Sequence, residues 1–169
     1  MRISKRLSVV ALVAVLGALA FALAARGDEG NGHDAMAGSL RSTLAPSQPT
    51  DPSFHGVPPG GAPWSLAEGS TRLRSNGRLE LQVEGLVLTA LGNAGPITGI
   101  AASVFCGADA TSTTPAAMTG VVPLSSDGDA EIETQLRLPT TCLVPVVLVQ
   151  PVRGTTLLNA YIAIEGFRP

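Results

Sequence analysis

"RLRSNGRLELQVEGLVL", residues 72–88, is the stretch on which the fold class turns. Leu73, Leu79, Leu81 and Val83 share one phase, while Arg72, Arg74, Arg78, Glu80 and Glu84 occupy the other. That period of two is a half-buried strand's signature, because successive side chains of a pleated backbone point to opposite faces. Asn76-Gly77 interrupts the alternation and predicts a type I′ hairpin turn, which needs positive φ at both central residues. The apolar set fixes the register, since a slip of one residue would move every leucine into water. The charged face is expected to serve solvation and register, with Arg74 within reach of Glu80 across the hairpin.

The same texture continues downstream. In "PITGIAASVFC", Ile100, Ala102, Val104 and Cys106 fall in one phase. In "DGDAEIETQLRLP", Ala130, Ile132, Thr134, Leu136 and Leu138 alternate with Glu131, Glu133, Gln135 and Arg137 after an Asp127-Gly128 turn. "CLVPVVLVQPV" is continuously apolar, so it is either a central strand covered on both faces or the source of an apolar patch. Pro145 within it suggests an edge or a bulge. "LLNAYIAIEGF" closes the series with Ala160, Ile162 and Ile164 in phase. About seven strands with turns every ~8–12 residues and no amphipathic helix predict an antiparallel, immunoglobulin-like β-sandwich over residues 63–169, with a small β-barrel as the second solution.

Upstream the composition changes twice. Residues 26–62 are rich in Gly, Pro, Ser and Asp without a sustained apolar period, and read as a flexible linker. Residues 1–25 begin with Arg2, Lys5 and Arg6 and continue as an apolar run from Leu7 to Ala25. That is the form of a signal peptide, with Ala22-Leu23-Ala24 as a cleavage context. The run also approaches the ~20 residues needed to span a bilayer, so an uncleaved anchor is the alternative. Either reading exports the rest of the chain, secreted or held on the outer face of the membrane.

Export sets the reading of the two cysteines. Cys106 and Cys142 are expected to form one disulfide, both sulfurs pointing into the core as in an immunoglobulin-like bridge. The chain-entropy model assigns such a loop ~3–4 kcal/mol. Two cysteines without a nearby histidine are too few for a zinc site.

The series from "WSLAEGSTRLRSNGRLELQVEGLVL" through "CG", "GDAEIETQLRLPTTC" and "PVVLVQPV" to "YIAIEGF" resembles small exported proteins of high-GC soil bacteria. These carry a signal, a linker and one β-rich domain with two cysteines. The resemblance covers Trp64 to Pro169. It implies export, a β fold and a disulfide, and it brings no activity with it.

Several chemistries find no support. Lysine occurs once, at Lys5, so the domain offers no amine for a Schiff base. Both histidines, His33 and His55, fall in the expected linker, leaving no ordered base to activate a serine. There is no Gly-x-Ser-x-Gly elbow and no phosphate-cradling glycine loop. From residue 63 onward six arginines stand against nine acids, which disfavours a nucleic-acid partner. Asp127, Asp129 and Glu131 are weak candidates for calcium, lacking the spacing of a calcium loop. Glu131 and Glu133 sit about 6.6 Å apart on a strand, but two groups on one exposed face cannot flank a glycosidic bond.

The chain is therefore read as a non-enzyme without a cofactor. Its expected partner is a protein or envelope component, with membrane contact only through an uncleaved N-terminal segment. The expected role is an exported structural or interaction module. The alternative is an extracellular small-ligand or carbohydrate-binding module with a pocket in the loops "GNAGP" and "GADATSTTP". Tyr161, out of phase with Ile162, is the weak candidate for a ligand contact. Trp64 and Phe105 are expected to fill the core or cap its end.

Overall fold

The computed structural model describes residues 40–165. The first half holds β1 (Leu40–Pro46), β2 (Trp64–Ser65), β3 (Glu68–Leu73), β4 (Arg78–Glu84) and β5 (Val87–Leu88). After these come β6 (Gly99–Phe105), β7 (Ala117–Met118), β8 (Val122–Pro123) and β9 (Ala130–Gln135). β10 (Val146–Arg153), β11 (Thr156–Leu157) and β12 (Ala163–Glu165) complete the described residues.

One sheet runs β1-β3-β4-β9; the other runs β1-β12-β10-β6, with β7 and β8 on the far side of β6. β1 belongs to both. Its residues 40–43 pair with β3, and Leu44, Ala45 and Pro46 pair with β12. The expected all-β antiparallel sandwich is thus formed, its sheets joined along one strand into a curled, barrel-like surface. β2 and β5 make a separate small ladder, Trp64 opposite Leu88.

The apolar phases of the quoted stretch face the interior. Leu73, Leu79, Leu81 and Val83 are at most 3% exposed and pack with Ile100, Val104, Ile132, Val147 and Val149. Each such side chain contributes roughly 1.5–3 kcal/mol by leaving water. On the opposite face, Arg74 and Arg78 reach Glu80 at 3.1 and 2.8 Å. The turn differs from expectation. Gly77 N–H bonds to Arg74 C=O at 2.8 Å, and Arg74 N–H bonds to Arg78 C=O at 2.9 Å. Only Gly77, at φ +86°, enters the left-handed region; Asn76 does not. This is a three-residue loop ending in a glycine bulge. Asn76 instead turns its Oδ1 to Arg78 N–H at 3.0 Å. Gly77 lies so close to β9 that a Cβ would stand 2.2 Å from the Leu136 carbonyl.

Three further expectations are corrected. Residues 40–62 are not linker: they supply β1 and a layer that covers the outer face of the second sheet. Backbone bonds from Ser47 N–H to Ile162 C=O and from Gly60 N–H to Tyr161 C=O hold that layer down. The Gly/Pro-rich composition hid this because its order comes from pairing with distant residues, not from an apolar period. Under the layer lies a second apolar cluster of Val57, Phe105, Leu148, Tyr161 and Ile164. For that reason β10 is covered on both faces. Val147 and Val149 point into the main core, and Val146 and Leu148 pack in the second cluster. Pro145 precedes the strand and marks no edge.

The disulfide is present, Cys106 to Cys142, but it is not a tie between sheets. It joins the end of β6 to the loop that leads into β10, its neighbour in the same sheet, where Phe105 stands opposite Val146. Both cysteines are half-buried. A disulfide of this kind belongs to an oxidising compartment. The signal or anchor at 1–25 and linker residues 26–39 lie outside the described residues. Among those described, no helix is long and apolar enough to cross a membrane.

Candidate functional site

A concavity with a mostly apolar lining is built on the small β2–β5 ladder. Trp64 N–H bonds to Ser47 C=O at 3.0 Å, and Thr89 N–H bonds to Pro63 C=O at 3.0 Å, fixing the indole between the covering layer and β5. Gln48 Nε2 donates to Trp64 C=O at 3.0 Å. Around the indole, Leu88, Pro96, Ile97, Pro151, Leu158 and Ile162 form an apolar cleft of about 260 Å³. Gly60, Gly61 and Ala62 also line it, and Arg153 is its charged lining residue.

The wall contains an unused donor. Trp64 is 4% exposed. Its indole N–H has no hydrogen-bond partner among the described residues, yet it is not among their fully buried polar atoms, so it opens onto the cleft side. Gly60 permits this: a Cβ there would stand 3.0 Å from Nε1 and 3.4 Å from Ser47 Oγ. Ser47 Oγ is itself fully buried without a partner. Arg153 closes the β10–β11 hairpin opposite Thr156, and the following Gly154 N–H bonds to Thr98 Oγ1 at 3.0 Å. Its guanidinium is exposed and makes no ion pair among the described residues. Small-molecule sites commonly take this form, mostly apolar with a few fixed polar groups.

A larger concavity, about 500 Å³, lies on the outer face of the first sheet, with Thr43, Ser70, Arg72, Gln82, Glu131 and Glu133 among its lining. Of its charged groups, Glu80 is paired with Arg78, whereas Arg72 Nε is buried without a hydrogen-bond partner among the described residues. Arg78 also reaches Glu133 at 3.8 Å. Desolvation raises the Glu80 carboxyl, but the Arg78 hydrogen bond and the charges of Arg74, Arg78 and Arg72 outweigh it and hold the group below its ordinary value. This surface presents the solvated, paired face expected from the alternation.

The residues singled out in the sequence fall elsewhere. Tyr161 is not exposed but fully buried: its O–H donates to Pro52 C=O at 2.8 Å and its ring meets Phe54 edge-on. Burial, then the nearby Asp51 charge, pushes the phenol up to about 12. Asp129 Oδ1 accepts Gly85 N–H at 2.9 Å, Asp127 lies exposed in the turn, and Glu131 stands opposite Gln82 on the outer face. No group of three His, Cys, Asp or Glu side chains converges among the described residues. Of the two loops, "GNAGP" contributes Pro96 to the cleft. "GADATSTTP" instead closes over His55, whose backbone N–H bonds to Asp109 Oδ1. His55 was expected in a linker, yet it is buried and stacked on Phe105 at 4.6 Å. Its Nδ1 lies 2.7 Å from Ser112 C=O, and since a carbonyl only accepts, Nδ1 carries the proton.

Trp64 was expected in the core and is nearly buried, but its role in a cleft wall was not legible. The signal was faint: a lone tryptophan just after "PPGGAP", whose glycines leave open space beside it. Comparison with known proteins adds no relative: no family model matches the chain, and neither a curated protein nor a solved structure does.

Proposed function

We propose that this chain is an exported, non-catalytic β-sandwich module that binds a small apolar ligand in the Trp64 cleft. The observation that carries the reading is the unpartnered indole N–H in a wall that is otherwise apolar. An indole N–H open to the cleft is free to donate to a ligand acceptor and so to fix the ligand's orientation. The signal-like N-terminus, the disulfide and the resemblance to small exported bacterial proteins support export. The chain's single tryptophan makes the test direct. Titration of the purified full chain with hexan-1-ol should change Trp64 emission saturably. Gly60→Ala should weaken the response, because its Cβ would stand 3.0 Å from Trp64 Nε1. Unchanged emission throughout the titration would overturn the reading.

A second reading, docking to an envelope component, is favoured by the disulfide end of the sandwich. Leu143 and Val144 are 66% and 74% exposed, and Val144 holds φ +47°, a conformation that β-branched residues rarely adopt. A photo-crosslinker at position 144 should capture a defined partner on intact cells. Adducts no different from those formed at exposed Gly120 would count against it.

A further inference from the structure

We infer that the ligand class of the Trp64 cleft is a short aliphatic monocarboxylate, its chain against the apolar wall and its carboxylate held by Arg153. This rests on the cleft being a binding site, as proposed above.

Charge complementarity selects the headgroup. Arg74 and Arg78 are engaged with Glu80, whereas Arg153 is exposed with no acid paired to it among the described residues. No carboxylate lines the cleft, so an anion entering it meets no repulsion from the walls. An ammonium headgroup would meet Arg153 as a like charge. A neutral headgroup would leave the guanidinium's paired N–H donors unused, and their fork geometry matches a carboxylate. Trp64 N–H is a second donor on the same cleft. The guanidinium is carried on a short hairpin whose backbone is pinned by the Gly154–Thr98 bond, which limits the ordering cost of binding.

Volume selects the body. About 260 Å³ lies just under the ~300 Å³ lower end of ordinary small-molecule sites, so the cleft suits a short chain rather than a long one. Proline rings and branched aliphatics form the wall and offer no polar group along the chain's path beyond the indole. Affinity should therefore rise about three- to fourfold per methylene until the cleft is full, then level off.

The test uses the full chain at neutral pH, with Trp64 emission as the readout and hexanoate, hexan-1-ol and hexylamine as probes. Hexanoate should bind at least about tenfold more tightly than hexan-1-ol, and hexylamine should bind weakest. Arg153→Gln should remove the hexanoate advantage, bringing hexanoate down to the affinity of hexan-1-ol, with thermal unfolding showing that the variant is folded. Raising the salt concentration should weaken hexanoate alone. Equal affinity for hexanoate and hexan-1-ol, or an Arg153→Gln variant that keeps the preference, overturns the carboxylate assignment and leaves the cleft standing. Failure of every probe to alter Trp64 emission overturns both.

Discussion

Glu165 on β12 stands directly opposite Leu44 on β1, placing a carboxyl at the seam where one strand serves two sheets. The residue is 8% exposed, and its Oε2 has no partner. Burial pushes the carboxyl up to about 7, while the Ser42 hydroxyl and the Val147 backbone N–H offset part of the rise.

A folded-state value above the unfolded one means that the native protein holds the proton more tightly. The resulting stability is fully present below the ordinary value of 4.5 and is lost as pH rises through about 7. Urea denaturation should therefore show stability falling from mildly acidic to mildly basic pH, by on the order of 2–3 kcal/mol from this group. Glu165→Gln, which keeps the shape without the charge, should flatten the profile and exceed the parent's stability above neutrality. A profile unchanged by the substitution would remove Glu165 as its source.

The Cys106–Cys142 bridge spans 36 positions and links the end of β6 to the loop before the adjacent β10. Replacing both cysteines with serine should lower stability by roughly 3–4 kcal/mol, read by chemical denaturation. Mass spectrometry of the unreduced chain should find no free thiol. Two alkylatable thiols in the exported protein would contradict the bridge.

Leu81 and Glu80 are adjacent in β4 and face opposite ways. Leu81 is 2% exposed in the main core, so Leu81→Ala should cost about 2–5 kcal/mol through lost burial and the cavity left behind. Glu80→Ala should cost far less, and its effect should shrink in high salt, because Arg74 and Arg78 hold the carboxylate at a wet surface. The reverse order of the two effects would assign the wrong face to the core.

Gly77→Ala should destabilise more than an ordinary turn substitution. The residue holds φ +86°, its Cβ would stand 2.2 Å from the Leu136 carbonyl, and its own carbonyl accepts Leu136 N–H at 2.8 Å, tying the hairpin to the end of β9. A loss above about 1 kcal/mol is expected, with the turn displaced from β9. A neutral effect in thermal unfolding would show that the turn relaxes freely.

The hairpin strands and the inward faces of Leu73, Leu79, Leu81 and Val83, and of Ile132 and Leu136, were determined by the sequence alone, because these are local matters. Alternation in Leu79, Leu81 and Val83 has a period of two whatever the rest of the chain does, and a glycine marks the hairpin turn by its own steric freedom. The tertiary structure decided what depends on distant pairing. Residues 40–62 carry no period of their own, yet Ser47 and Gly60 find partners at Ile162 and Tyr161, more than a hundred positions away. That layer buries Tyr161 and His55, gives β10 a second apolar face, and sets Trp64 beside Arg153. The cleft is assembled from several separated segments, so no window of sequence contains it; only burial of backbone polar groups through long-range hydrogen bonds brings its walls together.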